Sequence, residues 1–172
     1  MRVRLLLLGL MALSPSAARA QPAPLQPPAG VIRLVGLVAS GDQVIYLETR
    51  SLSRLGDIVH GWTLELFKEP RLLEPGAPQV KGSWTRFSVD CKAATYGAYG
   101  FLGYADWPTV NAVPVVNALS IRAPIMRPIG GVAITEIAVA SCNGTPPDKN
   151  DQTSLAATAA AAAAHFAPKP AP

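Results

Sequence analysis

The chain has 172 residues, 49% of them hydrophobic, with 15 Lys or Arg against 11 Asp or Glu. That length suits one domain of ordinary size with its own core. Arg2, Arg4 and Arg19 fall in the first twenty residues, and without them twelve basic residues face eleven acidic ones, with no basic block to neutralise phosphates; nucleic-acid binding is excluded on that ground.

The opening MRVRLLLLGLMALSPSAARA places Arg2 and Arg4 before an apolar run from Leu5 to Leu13, then ends in Ala18-Arg19-Ala20. This is the three-part layout of a secretory signal peptide over residues 1–20, with cleavage expected before Gln21. The apolar run is about nine residues, whereas a membrane-spanning helix needs roughly 20. No cysteine lies near the cleavage point to carry a lipid anchor, and no later segment is apolar enough to span. The expectation is an exported protein, in the periplasm, on the outer surface or secreted.

Residues 21–30 (QPAPLQPPAG) are proline-rich and predict an extended leader. The domain is expected over residues 31–143. Val31–Ala39 and Gln43–Arg50, rich in β-branched residues and joined by Ser40-Gly41-Asp42, read as a hairpin. Ser51–Gly56 reads as a connector. In Asp57–Lys68, Ile58, His60, Trp62, Leu64 and Leu66 alternate with Val59, Thr63, Glu65 and Phe67, which predicts a strand with one face on the core. Glu69–Gly82, broken by prolines and glycines, reads as a long exposed loop. Ser83–Cys91 alternates again, and its apolar set Phe87, Val89 and Cys91 is expected to point inward. One or two strands follow within Tyr96–Trp107 and Val110–Arg122. Val132–Cys142 fits a helix or a strand equally by periodicity. Residues 144–172 read as a tail, disordered or transiently helical, because an isolated alanine run of about a dozen residues is marginal in water.

The chain holds two cysteines, Cys91 and Cys142. In an exported protein, two cysteines on different elements most simply pair. Their spacing excludes a Cys-x-x-Cys redox motif, and a nucleophilic thiol would need a basic partner. Closing so long a loop is worth on the order of 4 kcal/mol in the chain-entropy account.

The order Tyr46-Leu47-Glu48, Ser51-Leu52-Ser53-Arg54-Leu55-Gly56, Trp62, Phe87-Ser88-Val89-Asp90-Cys91, Pro128-Ile129-Gly130 and Cys142 resembles the surface-adhesin protein E family of Gram-negative bacteria over roughly residues 31–142. The resemblance implies an α+β fold: an antiparallel sheet of about five to six strands with one C-terminal helix held on it by a Cys91–Cys142 disulfide. It tips Gly130–Cys142 toward helix. It also implies attachment to host extracellular-matrix proteins and, in some members, a homodimer. Two features depart from the pattern: the leader lacks a cysteine to acylate, and Ala123 stands where a tryptophan is expected.

For recognition, the strongest residues are Tyr96, Tyr99, Phe101, Tyr104 and Trp107, because aromatics spaced by glycine give contact area at low entropic cost. The alternative is strand packing, with the glycines admitting bulges. No Gly-x-Ser-x-Gly elbow occurs, and the two histidines, His60 and His165, are far apart in sequence, so neither hydrolytic nor metal chemistry is expected. Gly130-Gly131 reads as a turn rather than an anion cradle, and Asn143-Gly144-Thr145 as a chance sequon. Glu48 and Asp90 are expected in surface ion pairs. A non-enzymatic binding protein without cofactor follows, with a periplasmic structural or accessory factor as the alternative.

Overall fold

The computed structural model describes residues 25–30, 32–72, 75–119, 125–144 and 151–168. The signal peptide expected over residues 1–20 and the substitution at Ala123 lie outside them. Seven strands and two helices follow in order: β1 Leu34–Ala39, β2 Gln43–Leu55, β3 Ile58–Leu72, β4 Gln79–Asp90, β5 Thr95–Tyr104, β6 Val116–Leu119, β7 Arg127–Pro128, α1 Val132–Asn143 and α2 Leu155–Phe166. The strands form one antiparallel sheet in sequence order from β1 to β6, with β7 pairing the start of β5. Among the described residues no helix is long and apolar enough to cross a membrane.

The expected β1–β2 hairpin forms, closed by Ser40 N–H donating to Gln43 O at 2.8 Å. Two strands run further than composition suggests. Ser51–Leu55, read as a connector, continues β2 after a bulge between Glu48 and Ser53, and Gly56 (φ 61) makes the turn into β3. The bulge frees backbone N–H groups, and Glu48 satisfies them. Its carboxylate accepts from the N–H of Arg33 (3.0 Å), Arg50 (3.1 Å) and Ser51 (2.5 Å). Glu48 is therefore 1% exposed, not in a surface ion pair, because a buried carboxylate is tolerable only when hydrogen-bonded in this way. Asp90 likewise turns to backbone, accepting from the N–H of Lys92 and Ala93.

The stretch read as a loop over Glu69–Gly82 is mostly ladder: β3 reaches Leu72 and β4 begins at Gln79. Pro70 sits inside the register jump between Leu66 and Arg71, where no ladder hydrogen bond is demanded of it. Long-range pairing overrides local propensity here.

The sheet buries both faces, not one. Leu34, Val44, Tyr46, Trp62, Leu64, Leu66, Trp84, Leu102 and Tyr104 build a core on one side with Leu25, Ile32 and Ala162. Ile45, Leu47, Phe87 and Val89 build a second core with Ile137 and Ala138 of α1, and Cys91 packs at its edge as expected. Gly61 lets the second core close, since a Cβ there would meet Leu52 Cδ2 at 2.7 Å and Phe87 Cζ at 2.9 Å.

The C-terminal stretch corrects the expectation of a disordered or transiently helical tail. Leu34 and Gln152 exchange backbone hydrogen bonds at 2.8 Å, and Arg33 pairs Asp151 at 2.6 Å. Ser154 then caps α2 by accepting from Ala157 N–H at 3.1 Å. Thr158 and Ala162 are fully buried against the sheet, and His165 Nε2 lies 2.6 Å from Ser40 O. A helix too short to persist alone is held by burial of one face. Ala162→Glu should therefore cost more than about 2 kcal/mol in urea unfolding, because it buries an unpaired charge. Ala160→Glu, on the exposed side of α2, should cost less than about 1 kcal/mol.

Candidate functional site

The two sulfurs are joined: Cys91 and Cys142 form a disulfide with S–S 2.05 Å, tying the end of α1 to the end of β4. The helix reading of Val132–Cys142 holds.

The five aromatics do not converge on one patch. Tyr96 stacks on Phe87 with ring centroids 5.8 Å apart, on the α1 face. Phe101 stands in register with Thr85, Thr63 and Leu47, also on that face. Tyr104 is buried in the opposite core. Trp107 donates from Nε1 to Phe67 O at 2.9 Å and lies 6.0 Å from Phe166 of α2, with Lys81 Nζ 5.3 Å above its ring. The bland alternative of packing thus accounts for Tyr104 and Trp107.

Tyr99 is different. The ladder between β4 and β5 jumps there, Arg86 facing Gly100 and Phe87 facing Ala98, so Tyr99 is the extra residue of a bulge. A bulge re-aims its side chain, and Tyr99 comes to lie across His60 and Arg86. The exposed Arg86 guanidinium carbon is 5.2 Å from the Tyr99 ring centroid and 6.0 Å from that of Trp62, which faces Arg86 across β3 and β4. His60 meets Tyr99 edge-on at 6.4 Å, and Trp62 meets Trp84 edge-on at 6.4 Å beneath. Gly100 makes room beside them for Leu25, since a Cβ there would fall 2.9 Å from Leu25 Cδ2 and 3.2 Å from Arg86 Cβ. Among the described residues Arg86 has rings rather than a carboxylate within ion-pair distance. Each such contact is worth about 0.5–1 kcal/mol at an exposed site.

His60 Nδ1 lies 2.7 Å from Ser88 Oγ. A hydroxyl beside an imidazole invites a nucleophile reading, but Ser88 is only 1% exposed, so the contact ties β3 to β4 and fixes the imidazole beneath Tyr99. What the surface offers is a bidentate cation with aromatic flanks, the combination that dominates binding energy in protein interfaces. Sequence reasoning found Tyr99 but placed Trp62 and His60 only in a strand rhythm and Arg86 only in an alternation. The signal that joins them is register across β3, β4 and the bulge in β5.

Cavities flank the sheet among the described residues. One of about 450 Å³ runs between β1 and α2 beside His165. A second, of about 400 Å³, lies between the proline-rich leader and Thr109–Ala112, with Trp84 and Tyr104 among its lining. The third, of about 460 Å³, brings Tyr96 beside Ile125, Arg127 and Ile134.

Burial, with a smaller push from the charge of Glu65, raises the Tyr96 phenol from 10.0 to about 12. Burial also raises Glu65, against the pull of Arg71. No known protein family matches the chain, and comparison with curated proteins and with solved structures returned no match either.

These shifts have testable signs. The folded state keeps the Tyr96 proton while the unfolded state loses it, so its stabilising effect fades as pH climbs from 10 toward about 12. Absorbance titration of the folded protein should show one tyrosine ionising near the upper limit, and Tyr96→Phe should delete that step. The Glu65 carboxyl, raised above 4.5 by burial, favours folding most at acid pH and costs stability once it ionises in the fold. Glu65→Gln should therefore raise Tm at pH 7 and bring little gain at pH 4.

Proposed function

We propose that this chain is an exported, non-enzymatic binding protein, of the kind its resemblance to surface adhesin protein E implies, and that a protein partner docks on the Arg86 surface. The observation that carries the reading is the exposed Arg86 guanidinium set between Tyr99 and Trp62. Arg and Tyr are residue types that supply much of the binding energy where a partner seals them from water, and Trp62, buried in the first core, underlies them. Beneath them His60 meets Ser88 across β3 and β4, and Trp62 packs edge-on against Trp84. The intramolecular disulfide supports an oxidising compartment, in keeping with the signal-peptide layout of residues 1–20. Host extracellular-matrix or envelope proteins are the partner class, and a homodimer would present two such surfaces.

Binding of the purified oxidised protein to a panel of matrix proteins tests the reading. Arg86→Ala and Tyr99→Ala should each weaken binding at least about tenfold, on the order of 1.4 kcal/mol. Glu136→Ala, exposed on α1, should leave binding unchanged. Affinity surviving both changes at the Arg86 surface would remove that surface from the account. Protease shaving of intact cells decides the setting: digestion favours surface display, whereas full protection favours a periplasmic accessory role.

A further inference from the structure

The disulfide has a cation beside it. Arg54, exposed near the end of β2, places Nη2 3.8 Å from Cys91 Sγ and donates from the same nitrogen to Cys142 O at 2.9 Å. It reaches one sulfur of the pair and the backbone of the other cysteine. The last turn of α1 carries no basic residue of its own. Cys91 and Cys142 are both half-buried rather than enclosed. Asp90, the nearest carboxylate in sequence, is turned to the N–H groups of Lys92 and Ala93.

We infer that Cys91–Cys142 is a thiol–disulfide exchange site, attacked at Cys142 Sγ by an external dithiol, with Arg54 stabilising Cys91 as the leaving thiolate. A thiolate beside a guanidinium has a lowered pKa, and the lower the pKa of the leaving sulfur, the faster it leaves. In the first step one thiolate of the dithiol bonds to Cys142 Sγ, the S–S bond breaks, and its electron pair departs on Cys91 Sγ next to Arg54. In the second step the other thiol of the reagent attacks its own sulfur in the mixed disulfide and releases Cys142 as a thiolate. The dithiol ends as a disulfide, and both cysteines end as thiols after taking up its two protons. The fitting partner is a dithiol oxidoreductase or a small dithiol.

The exchange has a structural consequence. Only Ile137, Ala138 and Ser141 of α1 are buried, and the helix has no side-chain cap at its start. Ser141 Oγ is enclosed without a hydrogen-bond partner among the described residues, a cost of about 1–3 kcal/mol against docking. Opening the bond leaves α1 on this shallow contact, so its release uncovers Ile45, Leu47, Phe87 and Val89. This second apolar surface is independent of any partner bound at Arg86.

Reduction of the oxidised full chain by dithiothreitol, followed by thiol labelling over time, tests the site. Arg54→Ala should slow reduction about threefold or more through loss of the leaving-group effect, while Arg54→Lys, which keeps the charge, should stay within about twofold of the parent. If Arg54 served only as a cap on α1, its removal would loosen the helix and quicken reduction, so an equal or faster rate in Arg54→Ala overturns the proposal. Slowing of Arg54→Lys to the alanine rate overturns it too, since charge would then not be the cause. Exposure to glutathione with iodoacetamide present should yield glutathione on Cys142 and the alkyl group on Cys91, and the reverse assignment rejects the stated direction of attack.

Discussion

A sheet whose strands are apolar on both faces must be covered twice, and the arrangement of the whole chain follows from that constraint. Val44, Tyr46, Leu64 and Leu66 face one way, while Ile45, Leu47, Val59 and Phe67 alternate with them, and all are buried. With about 25 cal/mol gained per Å² of apolar surface removed from water, neither face can be left to solvent over the length of β2 to β4. The first face recruits the leader from Leu25 to Ile32 and the alanine helix α2, and the second recruits α1. The two covers are fastened differently. On α2 the work is done by Arg33–Asp151, the Leu34–Gln152 bridge and a capped helix start, whereas α1, with its thin buried stripe, relies on a covalent bond across a sequence separation of 51.

Bulges in β2 and β5 re-aim side chains in this sheet. The one in β2 gathers backbone N–H groups around Glu48, a solution in which a buried charge serves as the hub of a turn. The one in β5 turns Tyr99 toward Arg86 and leaves Gly100 beneath Leu25. Under the Arg86 surface lie the Trp62–Trp84 contact and the His60–Ser88 bond.

The same end of the molecule that carries the disulfide also carries its susceptibility. Arg54 stabilises the end of α1 through the Cys142 carbonyl and, by lying against Cys91 Sγ, prepares the bond for exchange. A structural staple and an exchangeable one differ here by the position of a single guanidinium, which couples the redox state of two cysteines to exposure of an apolar face.

The sequence by itself determined what depends on local pattern and on covalent possibility. The alternation in Asp57–Lys68 and Ser83–Cys91 marked strands β3 and β4, the Ser40-Gly41-Asp42 turn marked the first hairpin, and two cysteines behind an opening with a signal-peptide layout marked their pairing. Tertiary structure alone decided the rest. Ser51–Leu55 and Glu69–Leu72 became strand because partners across the ladder supply hydrogen bonds that no local propensity reports. The alanine run became a docked helix because its small side chains bury Thr158 and Ala162 on the first core, a fit that composition describes only as weak helix. Arg54 met the disulfide, and Arg86 met Tyr99, through register: which residues of distant strands stand opposite one another is fixed by the summed burial of both faces, and no single stretch of sequence contains that sum.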